Sequence, residues 1–180
     1  MILKEYHFIF IITHRTNIYL WELNSMQLAE RLKTCLKIEV LCAEIYHTLG
    51  GIFPEARELF DKLAKSEERH ADIISISMGF NRINDLPDSF VPSSLEKVTE
   101  TSNLAEDIKA IIENKRLSLE KSLSMLLRME QSLAESYLHE IMVKDTDSDV
   151  IIYLQQFYND EKSHAEEIKE FMAEKGYLPS

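Results

Sequence analysis

Apolar residues recur along most of this chain at steps of three and four, the spacing of one face of an α-helix. From Gln27 to Leu49 they fall at Leu28, Leu32, Cys35, Cys42, Tyr46 and Leu49. A second stripe, Ala56, Phe60, Leu63 and Ile74, predicts a helix from Pro54 to Met78, with Gly79 as its stop. Leu119, Leu123, Leu126, Leu133 and Tyr137 lie in register on a third helix predicted over Leu104–Val143. Tyr153, Phe157, Ile168 and Phe171 do so on a fourth over Asp149–Lys175, closed by Gly176. The first two helices meet at the short turn Gly50-Gly51-Ile52-Phe53-Pro54, and the last two at the polar turn Lys144–Asp149. Between the pairs, residues 80–103 carry Asn81, Asn84, Asp85, Pro87, Asp88 and Pro92, a long connection with a short helix near Leu95–Glu100. The chain therefore predicts an all-α fold: two antiparallel helix hairpins joined by a long crossover, a four-helix bundle.

The first residues break this pattern. Tyr6–Ile12 is apolar and β-prone, but too short to span a membrane. It is not followed by the small-residue cleavage site of a signal peptide. Met26 directly precedes the first clean stripe. Residues 1–25 are accordingly read as an N-terminal extension, and 26–180 as the bundle domain, with the functional chain starting at Met26.

Each stripe is interrupted by charge where an apolar residue is called for. Glu39 interrupts the first, Glu67 and His70 the second, Glu130 the third, Glu161 and His164 the fourth. Buried carboxylates are costly unless paired or bound to a metal, and no Lys or Arg lies on these stripes. Residues three apart share a helix face, so Glu67-x-x-His70 and Glu161-x-x-His164 can each serve one metal region. Glu39 and Glu67 are equidistant from the first turn, and Glu130 and Glu161 nearly so from the second. In antiparallel hairpins they stand at one level. The halves also repeat one another: Glu39-x-x-x-Ala43-Glu44-x-Tyr46 matches Glu130-x-x-x-Ala134-Glu135-x-Tyr137, and Glu67-x-x-His70-Ala71 matches Glu161-x-x-His164-Ala165. Two divalent cations held by four carboxylates and two imidazoles satisfy this pattern.

Composition narrows the function. The net charge of −11 argues against nucleic acid as a partner, because phosphate binding needs clustered Lys and Arg. Cys35 and Cys42 are too far apart along one helix for a disulfide between them, and no Cys-x-x-Cys exists to build a thiolate metal site. They read as small buried apolar residues in a chain whose default compartment is a reducing cytoplasm. Glu44 and Glu135 read as solvated, and His47 and His139 as surface or boundary residues. The acidic turn Asp145–Asp149 lacks the Gly and closing Glu of a calcium loop.

The set of six resembles the rubrerythrin and ferritin-like di-iron carboxylate superfamily, in which two helices give one Glu each and two give Glu-x-x-His. The resemblance covers residues 27–175 and implies a ferritin-like bundle with Glu39, Glu67, His70, Glu130, Glu161 and His164 as ligands, divided between bridging and terminal roles. It implies two iron ions, with manganese as the alternative, since oxygen and imidazole donors suit both. Tyr46 and Tyr137 would be neighbours or electron donors of the centre. The implied activity is a di-iron oxidoreductase acting on peroxide or O2. A non-enzymatic iron store, and a di-manganese catalase-like enzyme or hydroxylase on the same scaffold, are the alternatives. The chain differs from full-length rubrerythrin in two respects. It lacks the cysteine-ligated rubredoxin module, so electrons would come from a separate donor protein. It also carries Leu133 where rubrerythrin has a further Glu, which counts against rubrerythrin-type peroxidase chemistry. A homodimer without membrane attachment is expected.

Overall fold

The structure is a computed structural model, and it describes residues 2–82, 85–114, 117–160 and 162–177. Side chains are described from Met26 onward, except those of residues 82 and 133–136. Among the described residues the chain is all-helical, with no strand. The helices are α1 (Ile2–Ile52), α2 (Arg57–Arg82), α3 (Leu95–Asn114), α4 (Leu119–Glu130), α5 (Leu133–Val143), α6 (Asp149–Gln155) and α7 (His164–Glu174). No described helix is long and apolar enough to cross a membrane.

The α1–α2 hairpin is the main packing unit, and α3 lies against α1. Helix α4 packs on α7, while α5 bridges α3 and α6. One apolar cluster runs through all of these, with Leu32, Ile38, Phe60, Leu63, Leu123, Leu126 and Ile168 fully buried in it. The first two stripes are buried along their whole length. Gly50 stands where α1 and α2 come together: a Cβ there would lie 3.5 Å from the Phe60 Cβ and 3.4 Å from Asp61 Oδ1.

Several helix boundaries differ from those the periodicity predicts. Gly79 does not stop α2, which continues to Arg82. Tyr6–Ile12 lies within α1, because extending a formed helix adds a backbone hydrogen bond per residue and outweighs a weak β preference. The connection after residue 94 is not a short helix but the twenty-residue α3. The predicted third helix is divided. Ser118 caps α4 by accepting from the Lys121 amide, and after Glu130 the chain tightens, with Ser132 N–H donating to the Met129 carbonyl at 2.8 Å.

The fourth helix is divided too. Ser148 caps α6, and Ser163 and Glu166 form a reciprocal capping box that starts α7 afresh. The apolar phase is therefore not continuous across the gap. Tyr153 and Phe157 are exposed, and Ile151 and Leu154 take the inward positions instead. Gly176, at φ 72°, ends α7 with the Tyr177 amide reaching back to the Met172 carbonyl at 2.8 Å.

Arg31 ties the crossover to α1. Its buried guanidinium donates to the Pro92 carbonyl at 3.0 Å and pairs with Asp88. Arg31→Ala strands that carbonyl and should cost about 1–3 kcal/mol, read as a lowered midpoint in urea unfolding.

Candidate metal centre

Five of the six residues predicted as ligands meet inside the helical core. Glu39 comes from α1, Glu67 and His70 from α2, Glu130 from the last turn of α4, and His164 from the first turn of α7. All five are buried. The sixth, Glu161, lies outside the described residues.

Glu67 is at the middle. Its Oε2 lies 3.2 Å from His70 Nδ1 and its Oε1 lies 2.8 Å from His164 Nδ1. Glu39 Oε2 approaches His70 Nδ1 at 3.4 Å, and Glu130 Oε2 approaches His164 Nδ1 at 3.5 Å. The imidazoles stack nearly parallel, 5.1 Å between centroids and 16° between planes. Both present Nδ1 to the carboxylates. The i, i+3 spacing of Glu67 and His70 on one helix produces this, since both project from one face.

Behind the histidines lies Asp160, which sequence reasoning missed. Its Oδ2 accepts from His70 Nε2 at 2.8 Å and from the Ser66 hydroxyl, and it faces His164 Nε2 at 3.5 Å. Arg69 donates to Oδ1 at 2.9 Å. A carboxylate on the far nitrogen fixes the orientation of an imidazole and raises the basicity of the near one. On an unbroken fourth helix Asp160 would point about 100° away from Glu161. The turn between α6 and α7 brings it inward. Ser163-x-x-Glu166, a capping-box pattern, was the available signal for that turn.

The tyrosines separate. Tyr46 is fully buried and donates its hydroxyl to Glu130 Oε1. Tyr137, its counterpart in the repeat, does not join the site; its hydroxyl donates to the Ser89 carbonyl at 2.8 Å. The break after Glu130 explains this, because on a continuous helix Tyr137 would share the face of Glu130. Glu44 is exposed near Lys109 at 3.7 Å, and His47 is exposed and pairs with Glu68. The side chains of Glu135 and Leu133 lie outside the described residues.

His139 is more than a boundary residue: its Nδ1 lies 2.6 Å from the Tyr158 hydroxyl, and Tyr158 stacks on His70 at 5.3 Å. His139 and Tyr158 line a cavity of about 420 Å³ that reaches His70, Glu130 and His164. It gives small molecules a way in. Cys42, read from sequence as a small apolar residue, is buried beside Glu67 and Glu130.

Electrostatics follow from burial. Desolvation is the main cause that pushes the Glu39 carboxyl up to about 8, with the charge of Glu67 adding to it and His70 opposing it. Desolvation acts on Glu67 the same way, but His164 and His70 hold it below the ordinary carboxylate range. Burial works against charge on both histidines. For His70 the hydrogen bond to Asp160 and the nearby Glu39 and Glu67 carboxylates win, and for His164 the charge of Glu67 and the neighbouring Asp160 win, so both are raised well above their usual value.

Glu39 Oε2, Glu67 Oε1 and His164 Nε2 nevertheless complete no hydrogen bond of acceptable geometry within the described residues. Orphaned buried donor atoms of this kind need an explanation. Two groups of three donor atoms lie within cation-binding range, Glu67–His70–His164 and Cys42–Glu67–Glu130, and they share Glu67. This arrangement fits a pair of divalent cations. Comparison with protein-family models, curated proteins and solved structures returns no match to this chain.

Two outcomes are expected of the metal-free protein. Glu39 keeps its proton in the folded chain between pH 4.5 and about 8, where the unfolded chain has lost it. The stability that it contributes is full below pH 4.5 and lost as pH rises through 8. The raised histidines act with the same sign, fully below pH 6.5 and lost as pH rises through their higher folded values. Urea unfolding should therefore show stability falling steadily from pH 5.5 to 9; a flat profile contradicts the assignment. Asp160→Asn removes the charge behind the imidazoles, and His70 and His164 should then titrate lower, followed by their ring proton resonances.

Proposed function

We propose that this protein is a di-metal oxidoreductase, with two iron ions held by Glu39, Glu67, His70, Glu130, His164 and Glu161 in a ferritin-like four-helix bundle. The observation that carries this reading is the convergence of five buried carboxylate and imidazole side chains from four helices, with Glu39 Oε2, Glu67 Oε1 and His164 Nε2 completing no hydrogen bond within the described residues. Without cations such a cluster stays buried only by taking up protons. The resemblance to rubrerythrin-like and ferritin-like centres supplies the choice of iron.

Within the site Glu67 would serve both cations, because it belongs to both groups of donor atoms. Glu39 and Glu130 would each add a carboxylate to the centre. Asp160 holds His70 so that Nδ1 faces inward. Tyr46 fixes Glu130 through Oε1 and leaves Oε2 for a cation. An iron pair here would supply electrons to peroxide or O2. The cavity beneath His139 and Tyr158 admits the oxidant, while the apolar packing around Tyr46 and Phe60 keeps bulk water from the other side. Reducing equivalents would come from a separate donor protein, and a second copy of the chain would complete a dimer.

An iron store is the second reading, favoured by the same donors, and assembly size separates it: storage requires a large hollow shell.

Anaerobic reconstitution with Fe(II) is expected to give two irons per chain by metal analysis. Stopped-flow mixing with H2O2 and, separately, with O2 should show oxidation, and the faster oxidant identifies the reaction. Glu67→Ala should lower iron content to one ion or none. A wild-type protein that binds no stoichiometric iron would rule out the di-iron assignment.

A further inference from the structure

Cys42 sits on α1 one turn beyond Glu39 and is fully buried. Its Sγ and one oxygen each of Glu67 and Glu130 lie within 4.8 Å of one another, all three buried. The thiol also lies 3.7 Å from Met129 Sδ. The Glu67 side chain in the same group is fully buried, and its Oε1 completes no hydrogen bond. In the metal-free chain the thiol donates to Met129 Sδ, yet its sulfur stays within 4.8 Å of an oxygen of each carboxylate. Thiolate sulfur and two carboxylate oxygens are together a set of three metal donors.

We propose that Cys42 is a metal ligand, so that the centre is unsymmetrical: one cation position is defined by Glu67, His70 and His164, and the other by Glu67, Glu130 and the Cys42 sulfur. The inference rests on the di-metal reading above and deepens it. On binding, the S–H bond breaks with its electron pair kept on sulfur. That pair forms the metal–sulfur bond, and the proton leaves to solvent. Metal–sulfur bonds of about 2.3 Å and metal–oxygen bonds of about 2.1 Å place tetrahedral donors roughly 3.6 Å apart. Closing the group to that span from within 4.8 Å would take shifts of about 1 Å.

The repeat between the two halves makes the same point in another way. Cys42 stands three residues after Glu39, as Leu133 stands three after Glu130. Only the first half offers a donor there. Thiolate is a soft ligand, so the second position should favour iron, cobalt or zinc over manganese.

The test uses the full chain loaded with Co(II), whose thiolate complexes absorb by charge transfer in the near ultraviolet, apart from the visible bands that any bound cobalt shows. The wild type is expected to show both, and Cys35→Ser should keep both. Cys42→Ser should keep the visible bands and lose the near-ultraviolet one. X-ray absorption of the wild-type cobalt protein should contain a sulfur shell near ~2.3 Å, a measurement that does not depend on any variant folding. Visible bands with no charge-transfer band and no sulfur shell would overturn the ligation and leave the metal centre standing. A charge-transfer band that survives Cys42→Ser in a folded variant would also overturn it. Failure of the wild type to bind cobalt at all would overturn both.

Discussion

Three carboxylates and two imidazoles share the interior of an otherwise apolar helical core, and the rest of the structure accommodates that burial. An isolated ionised group in such a place costs several kcal/mol or more. The metal-free chain meets the cost with protons. Glu39 holds one, pushed up by desolvation, and both histidines hold an extra one, kept there by Glu67 and Asp160. These protons stand where cations would, and a metal ion that enters must displace them. The same constraint accounts for Asp160, Ser66 and Arg69 around the back of the histidines, since a charged imidazole needs a partner on each nitrogen.

Much of this was legible in the sequence because burial of charge leaves a mark on periodicity. Glu39, Glu67, His70, Glu130 and His164 were found as charged intrusions in apolar stripes, and all five are buried together. What the pattern could not convey was continuity. A period of 3.6 carries no marker for an interruption, and the third and fourth stripes each run across one: the third is broken before the cap at Ser118 and again after Glu130, the fourth between Gln155 and the cap at Ser163. The misplacements around the site follow from these breaks. Tyr137 and Glu130 are separated by the turn at Gln131 and Ser132. Tyr153 and Phe157 are in phase with Ile168 and Phe171 only on an unbroken helix, and the break leaves them exposed. Asp160 likewise faces away from the centre on a continuous helix and turns inward only because the helix is broken.

Cys42 illustrates a different limit. Sequence placed it correctly on the buried stripe, and for a small apolar residue that would be a sufficient account. Its chemistry depends on what faces it from α2 and α4, and spacing along one helix does not contain that. The internal repeat invites a symmetrical picture of the centre. The structure departs from it at the Tyr46–Tyr137 pair, where only one hydroxyl reaches a site carboxylate.

The buried side chains come from α1, α2, α4 and α7, so the cluster joins the first helix to the last. A metal bound there is a cross-link across nearly the whole chain, and it closes several long loops at a single point. A metal held only by the folded chain would stabilise it by mass action, and the whole set of helices that supply donors would share that stabilisation. The short α7 starts anew at its own cap and carries His164 in its first turn. With a metal on His164, α7 could not leave without emptying the centre. Occupancy of the centre and attachment of the C-terminal helix would then be one equilibrium.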